Sequence, residues 1–218
     1  MQVGDLEVVR FLVANGADIN IQTNSGEAVL IKAVRIGALE VVRLLVANGA
    51  DVNTQTNNGE SVLMKAVQIG DLEKVRFLVA NGANINAQTK YGWTALMQAA
   101  PGIEVVRFLV GKGADINIQD NNGETVLMKA VQVGDLEKIR FLVENGADVN
   151  AQTTSGETAL METTEWGRLE TVRFLVNKGA DVNTPDNSGR TPLRLAKEKG
   201  LQEVVDFLKE TVATSRRR

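Results

Sequence analysis

The sequence predicts an all-α solenoid of stacked helix-turn-helix units joined by β-turn and hairpin loops. Three observations predict it. The phrase Asn15-Gly16-Ala17-Asp18-Ile19-Asn20 returns at residues 48–53, 81–86 (with Asn84 for the aspartate) and 145–150, and variants beginning on lysine occupy 112–117 and 178–183. A glycine precedes each predicted first helix, at Gly26, Gly59, Gly92, Gly123, Gly156 and Gly189, with spacings of 33, 33, 31, 33 and 33 residues. Each period holds two short segments of helical periodicity, below the ~12–15 residues at which a helix is stable alone in water. Such a strict period marks supersecondary units whose apolar faces are covered only by their neighbours.

Each repeat reads as turn, helix, turn, helix, loop. Turns such as Asn57-Asn58-Gly59 and Asn121-Asn122-Gly123 permit positive φ. Ser61, Thr94, Thr125, Thr158 and Thr191 then stand where a first helix needs its N-cap. Pro192 falls at a first helical position, where its missing N–H costs nothing. Leu63, Ala66 and Val67 form one apolar face, and Gly70 stops that helix. Asp71 caps a second helix on which Leu72, Val75, Leu78 and Val79 recur at helical spacing, and Gly82 ends it.

The expected organisation is a single domain over 1–218. A partial repeat at 1–20 is followed by repeats at 21–53, 54–86, 87–117, 118–150 and 151–183, and a C-terminal cap at 184–218. Met1 to Glu7 matches Val131 to Glu137, so the chain begins midway through a repeat, as a fragment of a longer array or a natural half-repeat would. The fourth repeat is two residues short around Ala100-Pro101-Gly102, where proline requires the first helix to end early. Residues 54–86 and 118–150 agree at 25 of 33 positions, which suggests duplication of a two-repeat block and no difference in role between the two. Lys197, Glu198, Lys199, Glu203, Asp206, Lys209 and Glu210 put charge on core-like positions, as a terminal cap needs, and Ser215 to Arg218 reads as a tail.

These residues resemble the ankyrin repeat family over nearly the whole chain. The family pattern Asp-x-x-Gly-x-Thr-Pro-Leu-His-x-Ala-Ala, then Gly-x-Leu-Glu, then Gly-Ala-Asp-Val-Asn, is closest at Asp186 to Leu193 and Asp135 to Asn150. The departure is the histidine, whose place holds Ile31, Met64, Met97, Met128, Met161 and Arg194. Apolar packing is expected to replace the hydrogen bonds made there, which puts polar bonding between repeats in question.

Composition narrows the chemistry. Apolar residues make up 44% of the 218 and aromatics only 4%, so Leu, Val, Ile, Ala and Met must build the core. The absence of cysteine removes disulfides, thiolate metal sites and thiol nucleophiles; the absence of histidine removes the Ser-His-Asp triad and His-based zinc sites. No phosphate-binding or nucleophile-elbow motif occurs. Asp115 to Glu124 is rich in oxygen ligands but lacks the calcium-loop spacing, and reads as turn residues. The chain is therefore read as no enzyme, with no catalytic residue, no metal and no cofactor. A net charge of -3 gives no global attraction to nucleic acid or anionic lipid. The lack of a signal or membrane-spanning stretch points to the cytoplasm.

Two regular rows read as structural. Arg10, Arg43, Arg76, Arg107, Arg140 and Arg173 each follow a glutamate by three residues, so a solvated, self-paired face is expected. The methionine series from Met64 to Met161 reads as core. The aromatics break the repeat. The family resemblance implies that turn tips and first-helix ends line a concave, partner-choosing face, and Tyr91, Trp93 and Trp166 fall on those positions. Trp93 stands where other turns carry Glu27, Glu60, Glu124 and Glu157, and Trp166 where Ile36, Ile69 and Val133 stand. Lys32, Lys65 and Lys129 lie nearby on the first helices. The expected function is a scaffold that binds a partner protein or peptide through Tyr91, Trp93, Trp166, Glu60, Glu124, Glu157, Ile69, Val133, Lys65 and Lys129. The structural alternative for Trp93 is that it covers the gap left by the shortened fourth repeat. The functional alternatives are a regulatory or targeting fragment of a larger protein, and a self-associating solenoid. A monomer is expected, with N-terminal end-to-end association as the other arrangement; nucleic acid and membrane are not expected partners.

Overall fold

The structure, a computed structural model, describes residues 3–99 and 102–215, and for 3–5, 214 and 215 the backbone alone. The start at Met1-Gln2, the Ala100-Pro101 pair and the arginines 216–218 lie outside the described residues. The chain divides into two compact units, residues 1–115 and 116–218. The first holds α1 (Val3–Ala14), α2 (Val29–Ile36), α3 (Leu39–Ala47), α4 (Val62–Ile69), α5 (Leu72–Ala80) and α6 (Ile103–Gly111). The second holds α7 (Val126–Val133), α8 (Leu136–Glu144), α9 (Ala159–Glu165), α10 (Leu169–Asn177), α11 (Pro192–Glu198) and α12 (Gln202–Ser215). Among the described residues the only extended pairings are isolated bridges in the turns, such as Gln55 with Ser61.

The helices start and stop where local chemistry dictates. Ser61 Oγ accepts the Met64 N–H at 3.2 Å, and Thr125, Thr158 and Thr191 accept the equivalent N–H of Met128, Met161 and Arg194. Asp71 Oδ1 accepts the Lys74 N–H at 3.0 Å and Asp135 does the same for Lys138, which opens α5 and α8. Gly70 closes α4 in the left-handed conformation. In the fourth repeat Thr94 still accepts the Met97 N–H at 3.3 Å, but residues 95–98 form turns, not a helix. The segment expected to be a helix that ends early is no helix among the described residues, and the Ala100-Pro101 pair on which that expectation rested lies outside them.

Within each unit first helices stack on first helices (α2 on α4, α7 on α9, α9 on α11) and second on second (α3 on α5, α10 on α12). Leu30, Ile31, Leu63, Met64 and Val67 fill the first core; Leu127, Met128, Ile139, Leu142 and Met161 fill the second. Met64, Met128 and Met161 are core while Met97, in the irregular fourth repeat, is half-buried, and Met64 also caps: its Sδ accepts the Ser61 backbone N–H at 3.4 Å.

Polar bonding between repeats is nonetheless extensive, and it lies in the loops. Asn20 Oδ1 accepts the Asp51 N–H at 2.9 Å while its Nδ2 donates to the Gly49 carbonyl at 3.1 Å. Asn53 links to Asn84 and Gly82 in the same way, Asn117 to Asp148 and Gly146, and Asn150 to Asp181 and Gly179. A second seam joins the turn tips: Asn57 N–H donates to Ser25 O at 2.9 Å, Lys90 N–H to Asn58 O at 2.9 Å and Thr154 N–H to Asn122 O at 2.8 Å. This closeness explains the turn glycine. At Gly59 φ is +80°, and an added Cβ would lie 2.9 Å from Thr89 Cα.

The arginine row is the second departure. Arg43 and Arg76 reach across to the next repeat and lie over its phenylalanine, with Cζ 4.8 Å from the Phe77 centroid and 4.9 Å from Phe108 respectively, whereas Arg10 faces a repeat with Leu44 in the place of that ring. Arg140 lies over Phe174 and Arg173 over Phe207, and Arg140 also pairs with Glu170 of the following repeat at 3.1 Å. Arg43, Arg76, Arg140 and Arg173 are thus held by rings of the adjoining repeat, a contact worth about 0.5–1 kcal/mol at exposed sites.

Candidate binding surface

In the first unit the turns of the third and fourth repeats form one groove. The Gly59 turn presents Asn58 and Glu60, and α4 presents Gln68. The Gly92 turn presents Thr89, Tyr91 and Trp93, with Gln98 just beyond it. The volume is about 360 Å³. Thr89 builds the aromatic turn: its Oγ1 accepts the N–H groups of Tyr91 and Trp93 at 3.2 and 3.1 Å, and its N–H donates to Trp93 O at 2.9 Å. That fold of the backbone puts two rings, two residues apart, at the groove wall, with Tyr91 64% and Trp93 41% exposed. Glu60 does not face the groove as a free carboxylate, because Lys65 Nζ sits 2.7 Å from it. Lys65 also donates to Gln68 Oε1 at 3.3 Å, and Gln68 Nε2 donates to Gln98 Oε1 at 2.8 Å. Ile69 follows at the end of α4 and is exposed.

The second unit carries a smaller, acidic cavity of about 90 Å³, with Met128, Met161 and Leu195 as apolar lining and Glu124, Glu157, Glu162 and Glu165 around them. Glu124 is held by Lys129 and by Gln132, whose Nε2 donates at 2.7 Å. Glu157 accepts from Ser155 Oγ at 3.1 Å and lies 3.6 Å from Arg190 of the next turn. Glu162 occupies the position that holds Lys32, Lys65 and Lys129 elsewhere. Burial pushes its carboxyl up to about 7; the Gln132 side chain opposes the shift, Glu124 and Glu157 add to it, and Lys129 works against it. Val133 and Trp166, at the ends of the first helices α7 and α9, are exposed by 78% and 63%.

A family model described as ankyrin repeats (three copies) matches residues 1–89, 39–120, 64–153 and 127–215, overlapping along nearly the entire chain. The chain belongs to the ankyrin repeat family. Ankyrin repeats are generally protein–protein interaction modules, and proteins built from them are typically scaffolds, not enzymes. Comparison with curated proteins returned no match. Among the described residues, no helix of this ankyrin chain is long and apolar enough to cross a membrane.

The ankyrin geometry gathers some of the sequence-predicted residues and separates others. Tyr91, Trp93 and Glu60 share the groove, with Lys65 bound to Glu60 beside it; Glu124 and Glu157 share the acidic cavity. Trp166 lies apart from that cavity's lining and is occupied differently: the Arg168 guanidinium stands 5.6 Å from its ring. Arg168 in turn donates to the Val131 and Gln132 carbonyls, closing the end of α7 from the next ankyrin repeat. Sequence reasoning missed Arg168 and Glu162. The available signal was departure from the repeat, since Asp71 and Asp135 stand where Arg168 does, and lysines where Glu162 does. Asp120, within the oxygen-rich stretch, spends its Oδ1 on the N–H groups of Asn122 and Glu124, both at 2.9 Å, as a turn residue does.

Proposed function

We propose that this ankyrin chain is a cytoplasmic interaction scaffold that grips a partner protein or peptide on the face formed by its turns and first helices. The observation that carries the reading is the Tyr91–Trp93 pair, partly exposed along an open groove whose one carboxylate, Glu60, is already paired with Lys65. Such rings bury much area at low entropic cost and recur as binding anchors. In the second unit Trp166 and Val133 offer apolar contact, while Glu124 and Glu157 set the charge that a partner meets. The reading includes no reaction. The unusual carboxyl, Glu162, is accounted for by a glutamate occupying a lysine position.

Partner capture tests this. The purified chain and its Trp93→Ala and Trp166→Ala variants are immobilised and exposed to extract from the source cells, after circular dichroism establishes that each is folded. A partner retained by the parent chain and recovered at about a tenth or less by Trp93→Ala is expected, the loss typical of a truncated anchor. Equal recovery of every partner by all three chains overturns the reading.

A second reading has its own observation. Val8, Phe11 and Leu12 on α1, and Ile21 beyond it, are each at least 50% exposed apolar residues of the first unit. Self-association through them would appear as a concentration-dependent mass in light scattering; a constant monomer mass removes it.

A further inference from the structure

We propose that the groove beside Trp93 receives a proline-rich, extended segment of the partner. The inference rests on the protein-binding reading above and specifies the chemistry of what is bound.

The groove selects against charge. In the third and fifth repeats this position of the turn is an ion pair, Glu60 with Lys65 and Glu124 with Lys129. In the fourth repeat the same two positions are Trp93 and Gln98, so the pair is replaced by an aromatic face and an amide. The one carboxylate lining the groove, Glu60, is held by Lys65 at 2.7 Å. A charged anchor would lose its water there without gaining an uncommitted counter-charge.

The groove also has a direction in its hydrogen bonding. Lysine can only donate, so the contact from Lys65 Nζ at 3.3 Å fixes the facing atom of Gln68 as its oxygen. Gln68 therefore turns its amide nitrogen to Gln98, and Gln98 receives it on Oε1 at 2.8 Å. The relay ends on Gln98 Nε2, a pair of N–H donors with no partner among the described residues. With the Tyr91 hydroxyl, which can also donate, the groove presents donors at its centre that carbonyl oxygens would satisfy, and Asn58 at its edge adds an amide able to donate or accept. An added β-strand is not what it is built for: the Asn58 carbonyl at its edge already accepts the Lys90 N–H at 2.9 Å.

An uncharged occupant that supplies backbone carbonyls, lacks N–H groups needing partners, and has flat rings to lay on Tyr91 and Trp93 is a polyproline II segment. Its extended form exists before binding, so little order is lost on docking.

The test is titration of the ¹⁵N-labelled full chain, following the two indole N–H resonances, which the Trp166→Phe variant assigns. The probe is a capped, neutral peptide of Pro-Pro-Leu-Pro repeats; the controls are the same peptide with alanine for every proline, and one with lysine in place of each leucine and alanine for the prolines. The Trp93 indole is expected to move saturably with the proline peptide alone while Trp166 stays in place. Gln98→Leu, which keeps the size and removes the donors, should weaken binding about tenfold. Trp93→Glu, which installs the turn residue of the neighbouring repeats, should abolish it. The proposal is overturned if the alanine peptide binds equally, if the lysine peptide moves Trp93 and the proline peptide does not, or if no probe moves it. Trp93-dependent partner capture together with a silent proline peptide would remove this inference alone; capture indifferent to Trp93 removes the underlying reading.

Discussion

Glu162 and Thr164 show how much a single position can depart from its counterparts in the other repeats. The Glu162 carboxyl is raised from 4.5 to about 7 by burial among Glu124 and Glu157, with Gln132 and Lys129 opposing. Below the unfolded value both states are protonated and the group is neutral to stability. As pH rises from about 4.5 to about 7 the unfolded chain ionises first, so stability falls across that window and the full penalty applies above it. Glu162→Gln should therefore raise the urea midpoint at about pH 8 and leave it nearly unchanged at about pH 4. Glu162→Lys should gain more near neutrality by giving Glu157 the partner that Glu124 has in Lys129; an unchanged midpoint would refute this account of the site. Thr164 stands where Val67 and Val131 stand, fully buried, with a hydroxyl that has no hydrogen-bond partner among the described residues. Thr164→Val keeps the shape and removes the orphan, and should stabilise by about 1 kcal/mol in the same denaturation measurement.

Turns and loops, more than helix length, hold each element in place. Two glycines separate the causes. Gly82 has φ +86° with open space around a would-be Cβ, whereas Gly59 has φ +80° and the Thr89 backbone in the way. Gly82→Ala should cost about 1 kcal/mol, the strain of a left-handed alanine. Gly59→Ala should cost clearly more, because the seam between turn tips must open as well; equal unfolding midpoints for the two would show that the seam contributes nothing. The first-helix segment of the fourth repeat lacks the continuous helical hydrogen bonding of its counterparts. Its amides at 95–98 lie in turns, while the matching stretch of α4 is helical; Ala95 and Leu96 are as buried as Val62 and Leu63, so the difference is in the backbone bonding. Native-state hydrogen exchange should find the 95–98 amides exchanging much faster than those of Ala66 and Val67.

At the scale of the molecule, stability is a sum of repeats and of the contacts between neighbours. Arg76 and Phe108 supply one such contact, 4.9 Å from guanidinium carbon to ring centroid. A double-mutant cycle with Arg76→Ala and Phe108→Leu should return a coupling of about 0.5–1 kcal/mol, and zero coupling would make the stacking incidental. That contact also marks the boundary of what could be read from the chain. Helix starts at Ser61 and Thr125, the stop at Gly70 and the methionine core were legible because each depends on residues within one turn of helix. The arginines were misassigned for the same reason. A rule that looks three residues back finds Glu73 for Arg76 and cannot see a ring from the next repeat. Asn20 and Asn53 escaped likewise, since each completes its bonds in a loop one repeat away. The aromatic pair was visible as a break in the pattern at Trp93. The groove was not, because the Gln68–Gln98 relay joins residues 30 apart.

The loop asparagines impose a rule on how such a chain can change length. Asn20 and Asp51 are bonded across 31 positions, as are Asn53 with Asn84 and Asn117 with Asp148. Asn86 and Asp115 keep the same bond, at 2.9 Å, across only 29. The fourth repeat has thus lost two residues without losing its clasp. In the sequence the loss falls between the first- and second-helix segments, beside Gly102, and not in the loop, where both ends are committed to a neighbour. Length can be edited at one place within a repeat, or by copying a repeat whole, since a copy brings an intact clasp at each end. The 25 positions shared by residues 54–86 and 118–150 are what copying of a two-repeat block would leave, and the two residues missing beside Gly102 are what an edit within a repeat would leave.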